Sequence, residues 1–164
     1  MMSRLGVLYA LTDNELADLC RLPEAERYDY MLEEIEPRLL GTPRGCEMDK
    51  AWYGIQLCLG AGRWHETKRT PFNILCGGKY LVNTDAELMS LKKPEDVKKI
   101  VSYLKRHDLA ELVTLNFPEV AKKADELPAS ATDLEYLTEY CKDILPFYEN
   151  ALQENLQVIF TVDL

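Results

Sequence analysis

The sequence predicts an α+β domain: a small mixed sheet with the N- and C-terminal strands at its centre, covered by several helices. Three observations carry this. Strand-like apolar runs stand at both ends, over residues 3–11 and from Leu156 to Asp163. Between them apolar residues recur mostly at helical spacing, with two short strand-like stretches near residues 79–91. A chain of 164 residues, 47% hydrophobic and 29% charged, suits one domain, residues 1–164, around one core. Apolar runs in both terminal strands favour burial on both faces, which requires helices on either side.

The first strand ends at Thr12, where Thr12-Asp13-Asn14-Glu15 forms a capping box: the threonine oxygen accepts from the third helical N–H while Glu15 reaches back. A helix to about Cys20 follows, with Leu16 and Leu19 inward. Pro23-Glu24-Ala25-Glu26 starts a second helix, because proline is tolerated in a first turn. Tyr28, Met31, Leu32 and Ile35 form its stripe, and Pro37 interrupts or ends it. Gly41 to Gly45 is turn-rich. The next helix runs from about Asp49 to Leu59 and is apolar nearly all round, hence central to the core. Pro71 to Cys76 is a short apolar run before a Gly77-Gly78 break.

Lys79–Val82 and Glu87–Leu91 read as strands around Asn83-Thr84-Asp85. Pro94 opens a helix with Val97, Ile100, Val101 and Leu104 inward. Residues 108–127 read as two short helices broken near Phe117-Pro118. Thr132-Asp133-Leu134-Glu135 is a second capping box, opening the longest helix, whose seam runs from Leu134 to Leu152. Pro146 lies inside it and should kink it, since proline removes the bond to residue 142.

Formal net charge is −9, distributed as −5 over residues 1–48, +5 over 49–106 and −9 over 107–164. So acidic a terminal block repels phosphates and disfavours nucleic acid, while suiting a basic protein partner. Lys92, Lys93, Lys98, Lys99, Lys105 and Arg106 read as a solvated helix face. No apolar run approaches the roughly 20 residues needed to span a bilayer. The short apolar N-terminus, followed at once by Asp13 and Glu15, reads as a strand rather than a signal peptide, which places the protein in the cytoplasm. Five scattered cysteines without a C-x-x-C argue against a disulfide framework and a zinc site, and Cys58 and Cys141 fall on apolar faces. Neither His65 nor His107 has a metal-ligand neighbour at helical spacing. No metal or cofactor is expected. Phosphate-loop, dinucleotide, nucleophile-elbow and zinc-protease motifs are missing from the sequence.

Three segments resemble the YfbM-like family of small bacterial proteins, a domain without an assigned function. They are Met48-Asp49-Lys50-Ala51-Trp52-Tyr53-Gly54-Ile55, Pro71-Phe72-Asn73-Ile74-Leu75-Cys76-Gly77-Gly78, and the strand-to-helix passage from Leu91 to Leu104. The C-terminal pattern from Asp133 through Phe147-Tyr148 to a final strand is similar too. The resemblance implies a fold and brings no catalytic residue.

Asp49, Lys50 and Trp52 put a carboxylate, an ammonium and an indole within one helical turn, and so mark a candidate pocket. The structural alternative has Asp49 at the helix N-terminus and Trp52 in the core. Cys76, before two glycines, is the better-placed thiol for a nucleophile with His65. Arg63-Trp64-His65 places an aromatic beside arginine, the composition of an interface hot spot. Two function classes follow. The first is a non-enzymatic protein-binding module, specifically an immunity-type protein that neutralises a bacterial toxin through its acidic surface. The second is an enzyme or small-ligand binder with a pocket near Asp49, Lys50, Trp52 and Cys76. A homo-oligomer joined along the Asp133–Leu152 helix is a third arrangement.

Overall fold

A computed structural model describes residues 5–60 and 69–164 of the chain. Among the described residues five strands form one sheet in the order β2-β1-β5-β4-β3. They are β1 (Gly6–Leu11), β2 (Gly45–Asp49), β3 (Lys79–Asn83), β4 (Glu87–Lys92) and β5 (Gln157–Asp163). The terminal strands pair with one another, Leu8 opposite Phe160, and occupy the interior of the sheet. Every pairing is antiparallel, where a mixed sheet was expected. Hairpin and return connections suffice for this order, so no parallel crossover is needed.

Helices cover both faces. On one lie α1 (Asp13–Arg21), α2 (Glu24–Tyr30) and α3 (Glu36–Leu39), the last two joined through a π-helical turn at Met31–Ile35. Leu19, Met31, Ile35 and Leu39 pack there against Val7, Tyr9, Leu11, Met89 and Ile159. On the other lie α4 (Ala51–Gly60), α5 (Pro94–Arg106), α6 (Leu109–Ala121), α7 (Leu134–Cys141) and α8 (Ile144–Gln153). Their core includes Leu8, Ala10, Val158, Phe160 and Val162, the alternate residues of the same two strands. Period-two alternation thus sends one set of side chains to each helical layer. Burying each large aliphatic side chain contributes about 1.5–3 kcal/mol.

The Thr12–Glu15 capping box is present in both directions, at 3.2 Å and 2.8 Å. Several element boundaries differ from expectation. Of the two outcomes expected at Pro37 the structure shows the interruption: a π turn binds the Glu36 N–H to the Met31 carbonyl before the ring, and the helix resumes to Leu39. α6 runs through Pro118. The cap of α7 is Asp133, one residue after Thr132, accepting from the Tyr136 N–H at 3.1 Å. The long C-terminal helix is two helices, separated at residues 142–143, where the Pro146 ring displaces the carbonyl four residues back. Residues 45–49 form a strand, so α4 begins after Asp49. Lys92 is not on a solvated face: it is 0% exposed.

Candidate functional site

β2 ends at Asp49, which holds a left-handed backbone (φ 45°) that short polar side chains tolerate best. Its Oδ2 accepts hydrogen bonds from the hydroxyls of Tyr136 at 2.9 Å and Tyr140 at 3.4 Å. The Lys50 N–H donates to the Tyr136 hydroxyl at 3.2 Å. Four-residue spacing on α7 puts both tyrosines on one face, their rings edge to face with centroids 5.1 Å apart. Burial and the bond to Asp49 push the Tyr136 phenol well above its ordinary range. Tyr140 is raised by burial and by the charges of Asp49 and Glu47.

Beside this cluster runs a groove of about 410 Å³, walled by β2 at Gly45–Glu47 and by Tyr140, Asp143, Pro146 and Phe147. Burial pushes the Cys46 thiol up to about 12, and the charges of Asp143 and Glu47 add to the rise. Both of these carboxylate residues line the groove. None of the ion pairs among the described residues involves Glu47, Asp49 or Asp143.

A second polar constellation is enclosed in the core. Residues 71–78 form turns rather than a regular element, yet residues 73–78 are buried. Buried backbone polar groups need partners, and here side chains from three elements supply them. Gln56 of α4 donates to the Phe72 carbonyl at 3.1 Å and accepts from the Cys76 N–H at 3.3 Å. Tyr148 of α8 donates to the Ile74 carbonyl. Ser90 of β4 donates to the Leu75 carbonyl at 3.2 Å, and Lys92 of β4 donates to that same carbonyl. The Lys92 Nζ also donates to Ser90 Oγ at 2.8 Å and stands 5.6 Å from the Phe160 ring centroid. Desolvation lowers the Lys92 amine to about 7, partly offset by Cys76 and Asp96. Burial raises the Cys76 thiol to about 12.

A third feature is a cleft of about 700 Å³ between α4 and α6, lined by Tyr53, Leu57, Phe72, Val120 and Leu127, with Glu119, Lys123 and Glu126 among its polar residues. Asn116 fixes the two helices together by donating to the Cys58 carbonyl at 2.8 Å.

Of the residues singled out in the sequence, Asp49 is half-buried, joined to the groove through Tyr140, and Lys50 next to it is exposed. Trp52 is 2% exposed, packed against Tyr53 and Phe160, and Cys76 is 0% exposed. A ligand therefore meets neither at the surface. Asp49 and Cys76 serve different partners, two tyrosines for one and Gln56 for the other. Arg63, Trp64 and His65 lie outside the described residues. Glu47, Tyr136, Tyr140, Asp143 and Gln56 were not singled out as site residues in the sequence, and Lys92 was read there as solvated. The Tyr136–Tyr140 spacing was the one local signal among them. Among the described residues, no group of three or more His, Cys, Asp or Glu side chains is arranged to hold a metal ion.

The profile of a domain of unknown function, DUF1877, matches residues 2–161. The chain belongs to the DUF1877 family. A search of curated proteins finds no match. The fold of this DUF1877 protein is similar to the crystal structure of a protein of unknown function, YfbM from Escherichia coli. The TM-score is 0.66 at 14% identity, covering 96% of this chain and 99% of that one. At that identity the likeness shows the fold alone. No helix among the described residues of the DUF1877 protein is long and apolar enough to cross a membrane.

Proposed function

We propose that this DUF1877 protein is a non-enzymatic protein-binding module whose groove along β2 takes a basic segment of a partner. The observation that carries this is that Glu47 and Asp143 line the groove with the rings of Tyr140 and Phe147, while Asp49 accepts from the Tyr140 hydroxyl beside it, all three carboxylates outside every ion pair among the described residues. Carboxylates beside an aromatic face suit a guanidinium or ammonium group, through charge and cation–π attraction together. The net charge of −9 favours encounter with a basic partner over long range. The two sheet edges differ in the same sense. On β3, Arg27 covers the Leu81 carbonyl at 2.8 Å and Glu24 accepts from the Asn83 N–H at 3.2 Å. β2 instead borders the groove, where an extended segment could lie. An immunity-type protein masking a basic toxin domain is the specific form of this reading.

The test is selection from a displayed peptide library by the purified protein. Enriched peptides should carry lysine or arginine, and the pair Glu47→Lys and Asp143→Lys should weaken their binding at least tenfold. Enrichment without basic residues, or binding indifferent to both reversals, would refute the reading.

A small-ligand role is the second reading, favoured by the α4–α6 cleft, whose volume falls in the range of small-molecule pockets. It moves the ligand away from Trp52 and Cys76. Saturable binding of an apolar fluorescent dye, lost on Val120→Glu, would support it; dye that binds the variant equally would not.

A further inference from the structure

The turn at residues 71–78 is an irregular segment held inside the core by side chains, and one of those side chains can carry a charge. Lys92 is fully enclosed, and its amine faces the Leu75 carbonyl, the Ser90 hydroxyl and the Phe160 ring. The titratable groups facing it are the Cys76 thiol on the turn and Asp96 on α5. On α8, Tyr148 is engaged with the neighbouring Ile74 carbonyl. No carboxylate is among the groups that bond the amine, and a buried charge so placed keeps the desolvation cost that an ion pair would offset. Uncharged, the amine completes the packing and holds the turn. Charged, it gains by reaching water, and the turn is the only irregular segment among its bonded partners.

We propose that Lys92 is a proton-operated latch: its neutral amine keeps residues 71–78 closed on β4, and its protonation favours a locally open form that uncovers Cys76. Phe72, at the start of this turn, lines the α4–α6 cleft, and its carbonyl is held by Gln56. Opening therefore reshapes one wall of that cleft. The latch stands independently of what the β2 groove binds.

The direction is set by which form holds more protons. The open form keeps the lysine proton up to its ordinary value of 10.5, whereas the closed form releases it near 7. The Cys76 thiol, raised to about 12 in the closed form, opposes this by about twofold at pH 9, so opening should rise by roughly 25-fold between pH 9 and pH 7 and level off below.

The experiment is alkylation of the cysteines across pH 6–10, read peptide by peptide by mass spectrometry. Cys20 is exposed and supplies the internal reference for thiolate reactivity. The Cys76-to-Cys20 ratio should climb as pH falls to 7, while Cys46, Cys58 and Cys141 stay protected. Lys92→Met should abolish the climb. A ratio that is flat or falls, a rise shared by all buried thiols, or a slope that survives Lys92→Met would each overturn the latch. Should Lys92→Met fail to fold, amide hydrogen exchange of residues 72–78 in the unmodified protein, corrected for intrinsic rates, must show the same trend confined to that turn.

Discussion

The amine of Lys92 donates to the backbone carbonyl of Leu75 at a point with no solvent exposure. The protein thereby uses an ionisable side chain for a task that a neutral donor could perform. Between about pH 7 and 10.5 the unfolded chain holds a proton on this lysine that the folded chain lacks. The Lys92 contribution to stability therefore rises with pH across that window, and its penalty is complete below pH 7; above about pH 9 the buried thiols of Cys46, Cys58, Cys76 and Cys141, all raised by burial, oppose it. Lys92→Met should remove the rise between pH 6.5 and 9 and stabilise the protein by about 1–4 kcal/mol at pH 7 or below, since Ser90 still satisfies Leu75. Urea unfolding at pH 6.5 and pH 9 measures both effects. Equal slopes in the two proteins would show that another group sets the dependence.

Gln56 supports both ends of the same buried turn, donating to Phe72 and accepting from Cys76. Gln56→Leu keeps the side-chain volume and strands a carbonyl and an N–H together. Each stranded group costs about 1–3 kcal/mol, so a loss of about 2–5 kcal/mol is expected by chemical denaturation. A loss under 1 kcal/mol would mean that water replaces the amide.

How much of this was legible in the sequence depends on the range of each interaction. The Thr12–Glu15 box was readable because both its bonds close within three residues. The break before Pro146 was readable for the same reason: the ring acts on its own turn. β2 was not, because Gly45-Cys46-Glu47-Met48-Asp49 offers only two inward residues and runs straight into α4. A bulge between its partners Gly6 and Val7 blurs its register further. Lys92 fits the inward alternation of Leu88 and Ser90, but lysine reads as a solvent residue until the carbonyl awaiting it is known. The Asp49–Tyr136 bond joins positions 87 residues apart, and nothing in either neighbourhood announces it.

The Asp49–Tyr136–Lys50 cluster ties β2 and the start of α4 to α7. Tyr136→Phe removes the donor to Asp49 and the acceptor for the Lys50 N–H in a single change. The site is partly exposed, so water recovers some of the loss, and about 1–2 kcal/mol should disappear from the unfolding free energy. Tyr140→Phe, whose bond is longer at 3.4 Å, should cost less. Asp49→Gly tests the backbone: relief at φ 45° should offset part of the lost hydrogen bonds, leaving it milder than Asp49→Ala. The order Ala worse than Gly, read from thermal melts, checks this; the reverse order would mean that backbone strain at Asp49 is negligible.

Gly6 is the position where the smallest addition should do the most harm. A Cβ there would stand 2.8 Å from the Trp52 ring and 2.9 Å from Phe160. Both rings are fully packed in the core, so neither can withdraw cheaply. The strand is central, paired to β2 on one side and β5 on the other, so it cannot shift without moving the sheet. Overpacking of this kind costs about 1–3 kcal/mol. Gly6→Ala should lower the denaturation midpoint and alter near-ultraviolet circular dichroism from Trp52, while leaving the far-ultraviolet spectrum intact. Pairing it with Trp52→Phe should recover part of the loss, because the smaller ring opens the space that the new methyl needs. A double variant no more stable than the sum of the single changes would place the strain somewhere other than the Gly6–Trp52 contact.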